Sequence, residues 1–484
     1  MYPVIDAKQF EDHGHGFGSS TARDVIELNK ALSAGVAADP ASQSGGGALR
    51  VESLDATLKI VSFMMKNIVF YNDIPKSKAY NTVEEYNLLS KYGGRGGFFI
   101  NEGGLPRTED SDYQRKVQFV KFMGTTREIT HPMLLVRPAH GNVVALETKN
   151  GAMWMLQREE ENLFKGNADI ISQSFNGLDK QLRDGYADSD TAGDGLPNVS
   201  SEHIFDLRGQ PLTEGVWAEV ARVMLDNYMY PTHCYLPHTA QTDYNTQFFS
   251  KGRYGIPVGD DMATGFNSDK VKTSGGIIQL RSDVFLRVDE TAPSAADNSS
   301  TPTAPATVAV TVAAKTTSRG FQAGEIGSYA YSVTAISRSG ESVATAGDVT
   351  AVVATVDEEV TLTITAGAVA GNDATAGYRV YRTRLSDGAA GVKYLVAEIA
   401  VGAAPFLDGN ENLPGLGTAY AGQLDESVLT LRELSPMLKF PLATVASSIR
   451  WMQLYYNTPI VFRPRGWVII KNIGRLPHAT LIAP

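Results

Sequence analysis

The chain has 484 residues and a mass of 52.1 kDa, of which 43% are hydrophobic and 20% charged. These values predict two or three folded domains and exclude a largely disordered chain. Acidic residues outnumber basic ones by 53 to 43, which disfavours a general nucleic-acid binder. The single cysteine, Cys234, excludes an intrachain disulfide, and no apolar stretch approaches the roughly 20 residues of a membrane span.

The first 50 residues are rich in Gly, Ser and Ala, and they predict a flexible or partner-dependent arm with a short helix at residues 22–32. Apolar residues then recur at helical spacing over residues 54–65. Residues 1–50 are therefore assigned to an N-terminal arm and 51–72 to a helical segment.

A long two-stranded arm is predicted next, over residues 73–132. Side chains alternate along its first strand, and a second strand returns over residues 117–122. A hairpin of this length with few large apolar residues cannot bury itself, so it needs another surface. The residues assigned to contacts between copies of the chain are Tyr80, Thr82, Tyr86, Leu88, Arg95, Arg107, Val117, Phe119 and Phe122.

Residues 140–165 predict a long helix, whose apolar side includes Met153, Trp154, Leu156, Leu163 and Phe164. The run of three glutamates at positions 159–161 is interpreted as the solvated side of this helix. Further helices are predicted at 213–227 and 442–454, followed by a hairpin formed by strands 460–463 and 467–470.

Residues 291–425 differ in composition from the rest of the chain. They contain no Trp, Met, His or Cys, and their seven basic and thirteen acidic residues give a charge of −6, whereas residues 426–484 carry +5. A Pro-, Ser- and Thr-rich stretch at 291–302 predicts a linker. Short alternating strands separated by Gly, Asp and Asn follow, and they predict an inserted β-sandwich.

No motif indicates catalysis, so no enzymatic activity and no cofactor are predicted. The glycines at positions 14–18 lack the strand and helix context of a dinucleotide site. Asp188, Asp190 and Asp194 resemble a calcium loop, but Ala192 and Val199 replace two of its ligands, so a solvated turn is favoured.

His233, Cys234 and His238 are close in sequence, but a strand would point the first two in opposite directions. Packing is therefore favoured over a zinc site or a nucleophilic thiol.

The chain outside the insertion resembles the major capsid proteins of tailed bacteriophages, which have the Hong Kong 97-type fold. The resemblance lies in the order of elements: an arm, a long two-stranded loop, a helix that ends at residues 153–166, a second helix at 216–225 leading to 231–237, and a closing segment at 458–470. The insertion resembles immunoglobulin-like or fibronectin-type-III modules, without the Cys…Trp…Cys hallmark.

The resemblance implies an α+β fold with a spine helix, a peripheral domain and an axial domain. Residues 133–290 would form the spine helix, the peripheral domain and part of the axial domain, and 426–484 the remainder, with 291–425 inserted and projecting outward. The implied protein is a structural shell subunit of the virion, assembled in the host cytoplasm as hexamers and pentamers around double-stranded DNA that it does not read by sequence.

Portal, decoration or scaffolding proteins are further implied partners, and no membrane is. Two alternatives remain open: a tail sheath or tail tube subunit with an immunoglobulin-like decoration, and a cytoplasmic enzyme with a carbohydrate-binding module. A shell subunit is favoured because its extended arm buries area on neighbouring copies, which repeated heterologous contacts require.

Overall fold

The computed structural model describes residues 64–93, 99–136, 142–187, 201–248, 256–258, 261–263, 269–316, 319–368, 373–402, 405–444 and 446–476. The predicted N-terminal arm, Arg95 and the calcium-like residues Asp188, Asp190 and Asp194 lie outside this part of the chain. So does the predicted helix at 54–65, except for its last two residues. In the described part, none of the helices combines the length and apolar character that crossing a bilayer requires.

The described helices and strands confirm the predicted α+β class. The helices are α1 (Phe70–Asp73), α2 (His131–Leu135), α3 (Val143–Lys165), α4 (Leu178–Ala187), α5 (Glu214–Asp226) and α6 (His238–Phe248). The strands are β1 (Lys76–Lys78), β2 (Val83–Lys91), β3 (Asp112–Phe119), β4 (Lys121–Thr130), β5 (Ile204–Asp206), β6 (His233–Pro237), β7 (Ile256–Val258), β8 (Asp261–Ala263), β9 (Lys270–Thr273), β10 (Gly276–Asp283), β11 (Thr307–Ala314), β12 (Gly327–Ser337), β13 (Gly340–Glu341), β14 (Val349–Val353), β15 (Glu358–Thr365), β16 (Gly377–Thr383), β17 (Lys393–Ala400), β18 (Phe406–Asp408), β19 (Gly417–Gly422), β20 (Leu429–Pro441), β21 (Ser448–Val461) and β22 (Trp467–Ile473).

A six-stranded sheet with the order β5-β22-β19-β6-β10-β9 carries the main hydrophobic core. Aromatic rings join this sheet to the long helix α3. The Phe164 ring stacks on Phe70 with centroids 4.6 Å apart and on Tyr420 at 5.6 Å, and Tyr235 stacks on Trp467 at 6.3 Å. The predicted long helix is thus confirmed, and its C-terminal half is fixed to the sheet by ring packing.

A second sheet, of order β1-β20-β21-β4, corrects the prediction of a helix at 442–454. This region instead belongs to a long antiparallel pair, β20 and β21. Trp451, Gln453, Tyr455 and Asn457 are buried while the side chains between them are only partly covered, which is the two-residue period of a strand. The apolar residues were wrongly assigned to the helical period.

The predicted hairpin of strands 460–463 and 467–470 is also wrong. Both segments are extended, but β21 pairs with β4 and β20 whereas β22 pairs with β19 and β5. A single 3₁₀ turn, Pro464–Gly466, redirects the chain between the two sheets. A short turn between two strands therefore connects different sheets here.

The inserted segment forms two sheets with a shared core. One has the order β11-β15-β18, and in the other β12 lies between β16 and β13–β14, with β17 at the far edge beside β16. Tyr331, Val333, Val360 and Leu362 are fully buried between the sheets. The predicted strands around residues 329–336, 362–364, 378–382, 394–399 and 406–409 are all found.

Two features of the insertion differ from expectation. The strand β19 lies within the range 291–425, yet it pairs with β6 and β22 of the six-stranded sheet, and the sandwich strands end at Asp408. The predicted linker at 291–302 is anchored, because the Asp297 N–H donates to the Glu341 carbonyl at 3.2 Å and Thr301 is buried.

We expect Phe164→Ala to lower the free energy of unfolding of the unassembled subunit by about 3–5 kcal/mol, because it removes a fully buried ring from the core. Trp154→Ala is the matched control on the same helix, where the side chain is 41% exposed, and its cost should be much smaller. Chemical denaturation followed by fluorescence measures both. Equal losses would contradict the assigned core.

Candidate assembly interface

A two-stranded arm is present, but it spans residues 83–119 and not the predicted 73–132, because β1 and β4 pair within the four-stranded sheet. Strands β2 and β3 pair antiparallel over Val83–Lys91 and Asp112–Phe119, with Leu89 opposite Tyr113 and Val83 opposite Phe119. They pair with each other and with no further described strand, so the arm is a separate two-stranded ribbon. Such a ribbon is marginally stable in water unless one of its faces is covered.

One face of this ribbon is exposed, and its large apolar side chains, Leu89, Tyr113, Val117 and Phe119, lie around the ion pair of Arg115 with Glu85. We call these four apolar residues the arm face. Tyr113 is 70% exposed and Phe119 58%. Burying side chains of this kind stabilises a structure by roughly 1.5–3 kcal/mol each, and the described part of the subunit leaves that stabilisation unrealised.

The opposite face and the root of the ribbon contact the subunit body. The Tyr86 ring meets Phe462 edge-on at 5.0 Å, and burial raises the pKa of Tyr86. The Val120 N–H donates to the Thr82 carbonyl at 2.9 Å. These contacts hold the root in place while the arm face stays open.

The tip of the arm, residues 99–112, is exposed throughout. Gly103 has φ of 79°, the left-handed region that glycine tolerates best, and the Gly104 N–H closes the turn onto the Asn101 carbonyl at 2.9 Å. Phe99 and Leu105 are both more than nine-tenths exposed. The tip thus presents large apolar side chains to the surroundings.

The structure distributes the predicted contact residues over several surfaces. Val117 and Phe119 lie on the arm face, whereas Tyr86 and the half-buried Leu88 lie on the opposite one. The remaining described residues of the set are exposed, namely Tyr80, Thr82, Arg107 and Phe122, the last of which packs edge-on against Tyr456. Their contacts with other copies remain a prediction.

Sequence reasoning missed Leu89 and Tyr113, which form the outer half of the arm face. The signal was available, because Tyr113 precedes Val117 and Phe119 by even numbers of residues and therefore shares their face. The register that places Leu89 opposite Tyr113 is set by pairing and could not be counted from one strand alone.

The interpretation of the three glutamates as a solvated face is wrong. Glu159 and Glu160 are buried, and only Glu161 reaches the surface, beside Arg158. Each buried glutamate lies four residues from the apolar residues before and after it on α3, so both belong to the buried stripe of the helix. Hydrogen bonds offset part of the cost of their burial, and burial raises the pKa of both carboxyl groups.

Glu159 pairs with Asn457 of β21. The Asn457 Nδ2–H donates to Glu159 Oε1 at 2.6 Å, while Glu159 Oε2 and Asn457 Oδ1 are buried without another partner among the described residues. Burial, reinforced by the nearby Glu433 carboxyl group, raises the pKa of Glu159 to about 8.

Glu160 instead binds the chain just before the arm. Its carboxyl group accepts the backbone N–H groups of Val69, Phe70 and Tyr71 at 2.6–2.8 Å, at the start of α1. Burial and the neighbouring carboxyl group of Asp283 raise the pKa of Glu160. One side chain thus joins the spine helix to the segment that leads into the arm.

The histidine and cysteine group is structural. Cys234 is buried in the six-stranded sheet, and burial raises the pKa of its thiol far above the ordinary value. Such a thiol is unreactive, so the packing interpretation agrees with the geometry. Within the described ranges, no three His, Cys, Asp or Glu side chains come together as a set that could hold a metal ion.

Known proteins are similar in sequence to this chain over almost its whole length. The major capsid proteins of Staphylococcus phages S25-3 and K are each 24% identical over 488 residues, covering 96% of this chain and 98% of theirs. A protein of Enterococcus phage phiEF24C is 26% identical over 461 residues, covering 92% of this chain and 94% of its own. The resemblance to phage major capsid proteins is confirmed.

No family model matches the chain. Among solved structures, the capsid of an empty GTA particle aligns with 90% of this chain and 99% of its own at 7% identity and a TM-score of 0.47. The capsid of cyanophage P-SCSP1u aligns with 88% and 94% at 9% identity and a TM-score of 0.45. The order of two-stranded arm, spine helix and two sheets agrees with the Hong Kong 97-type order of elements predicted for this chain.

The buried glutamates make the stability of this capsid-like subunit depend on pH. Glu159 binds its proton more tightly when folded than when unfolded, so its contribution is complete below about pH 4.5 and is lost progressively up to about pH 8. Each pH unit in that window should remove up to about 1.4 kcal/mol. Denaturation of unassembled subunits at pH 5 and pH 8 measures the loss.

Glu159→Gln should make the free energy of unfolding depend less on pH. The amide oxygen can still accept the hydrogen bond from Asn457, but the amide does not titrate. The matched control is Glu161→Gln on the exposed side, which should retain the full dependence. Identical pH profiles for both variants would contradict a protonated Glu159.

Proposed function

We propose that this chain is a phage major capsid protein that self-assembles into an icosahedral shell around double-stranded DNA. Similarity to proteins of that name over 96% of the chain supports the proposal. The structural observation that carries it is the arm face, a group of large apolar side chains on a two-stranded ribbon that the described part of the subunit leaves exposed. A second copy of the chain is the partner that such a ribbon needs.

The physical argument rests on how identical subunits close a shell. A heterologous contact, in which one surface of a copy meets a different surface of the next, repeats around a ring and then across a shell. The rooted arm of this chain provides one half of such a contact. Hexamers and pentamers are the corresponding assemblies, with portal, decoration or scaffolding proteins as additional partners in the host cytoplasm.

The role is structural rather than enzymatic. The carboxyl groups with raised pKa values are buried in the interior, where they join α3 to β21 and to the start of α1. The one thiol is buried as well. The titratable groups considered above therefore stabilise the subunit.

The β-sandwich is proposed to be an immunoglobulin-like module that projects from the outer face of the shell. Residues 291–408, which contain its strands, hold seven basic and eleven acidic residues, and this charge of −4 favours placement away from packaged DNA, which would repel an acidic surface. An ion-pair network at its base supports a fixed attachment. Glu290 binds both Lys165 of the spine helix and Arg379 of the sandwich, and Arg379 also binds Glu341 at 2.8 Å and Glu398 at 2.7 Å.

The direct test is to express the chain alone, purify it and image it by electron microscopy. Closed icosahedral particles are expected. Helical tubes would instead favour a tail sheath or tail tube subunit, and a stable monomer at high concentration would contradict self-assembly.

Deletion of residues 91–110 with a short Gly-Ser connection should leave folded subunits that fail to form stable shells, because most of the tip, with the exposed Phe99 and Leu105, is removed. Sedimentation velocity and micrographs measure assembly, and circular dichroism checks the fold. Phe440→Ala, at an exposed position far from the arm in sequence, is a matched control for loss of exposed apolar area. Normal particles from the deletion variant would contradict the role of the arm.

A peptide epitope inserted after Asp387, in an exposed turn of the sandwich, should be bound by antibody on intact, DNA-filled particles. At most one antibody should bind per subunit, and fewer should bind where neighbouring antibodies would overlap. The same epitope after Asp289 should label weakly, because that segment lies beside the ion-pair network. Labelling of the Asp387 site only after particle disruption would place the sandwich inside.

A further inference from the structure

The β-sandwich is held to the rest of the subunit, which we call the body, at two separate places. The first lies where the chain enters the sandwich, around Glu290, and we call it the ion-pair joint. The second lies where the chain leaves the sandwich, over residues 408–413 beside the end of β22, and we call it the hydrogen-bond joint. Each joint uses a different kind of contact.

Open space beside the joints shows that broad packing does not set the orientation of the sandwich. A cavity of about 390 Å³ opens between body and sandwich, lined on the sandwich side by Leu395. A cleft of about 780 Å³ opens between Trp154 of the spine helix and the sandwich turn at 337–340. Close apolar contact is found at Gly377, where a Cβ atom would lie 2.5 Å from Ile170 Cγ2. The orientation therefore depends on a small set of contacts.

Glu290 forms the centre of the ion-pair joint. Its Oε2 lies 2.5 Å from Nζ of Lys165, the last residue of the spine helix, and its Oε1 lies 3.4 Å from Arg379 Nη1 in β16. Its carbonyl accepts the Leu395 N–H of β17 at 2.9 Å. The side chains of Glu290 and Arg379 are only 16% and 21% exposed, so salt screens their pairing weakly. Glu290 thus ties the spine helix to two strands of the sandwich.

Asn472 in β22 forms the centre of the hydrogen-bond joint. Its Oδ1 accepts the Leu413 N–H at 2.8 Å. Its Nδ2 donates to the Glu411 carbonyl at 2.8 Å and to Asp206 Oδ1 at 2.6 Å. The amide oxygen and both amide hydrogens are therefore used, and the residue is buried. This side chain joins β22 and β5 of the six-stranded sheet to the segment that leaves the sandwich.

The network continues from Asp206 into the interior of the sandwich. Arg208 pairs with Asp206 at 3.2 Å, and its Nη1 donates to the Asn410 carbonyl at 2.7 Å. Asn410 Oδ1 accepts a hydrogen bond from Arg382, whose Nη1 lies 2.5 Å from Asp408 Oδ2. Arg382 is fully buried. A continuous path of polar contacts therefore links the six-stranded sheet to the sandwich core.

The backbone of this joint is constrained as well. Arg208, Asn410 and Asn472 have φ of 50°, 61° and 57°, and they are three of the five non-glycine residues with left-handed backbone in the described ranges. This region is unfavourable for residues with a side chain, although Asn tolerates it better than most. Such conformations persist where the surrounding contacts determine them. Their concentration here indicates a joint with one geometry.

We infer that the two joints hold the β-sandwich and the six-stranded sheet together as one rigid unit, with Glu290 and Asn472 as positioning residues. A module attached at one point can rotate about it, and a second attachment restricts that rotation. The inference goes beyond the ion-pair attachment proposed above, because a shell of such subunits would carry its sandwiches in an ordered array and not on flexible tethers. It concerns the single subunit, so its failure would leave the proposed function untouched.

Pulsed electron paramagnetic resonance on the unassembled, full-length chain tests the inference. Spin labels at Lys149→Cys on the spine helix and Thr350→Cys on β14 report the distance between body and sandwich. Both positions are exposed, whereas the natural Cys234 is buried. A single narrow distance distribution is expected. A broad distribution would overturn the inference, because the sandwich would then be flexibly tethered.

Two variants of this labelled chain remove the positioning contacts. Asn472→Gly removes the side-chain hydrogen bonds at a φ that glycine accepts, and Glu290→Gln removes the charge at the ion-pair joint. Each should broaden the distance distribution, and the two together should broaden it further. Asp357→Gly, at φ of 66° in a turn of the sandwich, and Glu161→Gln, in an exposed ion pair of the spine helix, are the matched controls and should change nothing.

Unchanged distributions in both joint variants would overturn the assignment of the joints. If Asn472→Gly fails to fold, Asn410→Gly at φ of 61° makes the same test.

Proteolysis gives a second readout. Glu411 is exposed in the segment that leaves the sandwich. Cleavage after it by a glutamate-specific protease should be roughly tenfold or more faster in Asn472→Gly than in Asp357→Gly, because the lost hydrogen bonds raise the open population. Equal cleavage rates in the two variants would contradict the role of Asn472.

Discussion

The arm face is the constraint on which the rest of this structure depends. An isolated two-stranded ribbon is marginal in water, and this one carries Tyr113 and Phe119 more than half exposed. The chain nevertheless holds the root of the ribbon firmly, through Tyr86 on Phe462 and the paired strand that follows. A fixed root and an open face together favour burial against another copy over collapse onto the same subunit.

Buried carboxyl groups hold the elements behind the arm together. Glu160 fixes the start of α1, Glu159 joins the spine helix to β21, and Gly151 allows close approach of the same helix, since a side chain there would collide with Gln453. Replacing buried polar pairs by apolar residues often changes the free energy of unfolding little. We therefore interpret these pairs as fixing the orientation of the elements they join. They orient the spine helix, the arm and the sheets relative to one another.

The sequence was sufficient where a single period dominated. The spine helix, the helix at 214–226 and the sandwich strands follow clear patterns and were found. The sequence was insufficient at residues 442–454, where the same apolar residues fit both the helical and the strand period. It was also insufficient for β19 and β22, because the strands that pair there are far apart in sequence. The buried glutamates were missed because their charge was given more weight than their positions in the helical stripe.

Hydroxyl-radical footprinting of Tyr113 tests the central claim most directly. The oxidation rate of this ring is compared between unassembled subunits and closed particles, with the fully buried Tyr331 as the internal reference. Burial of the arm face by a second copy requires Tyr113 to be oxidised rapidly in subunits and to be strongly protected in particles. Equal oxidation in both states would contradict the account, because the arm face would then remain exposed in the assembled shell.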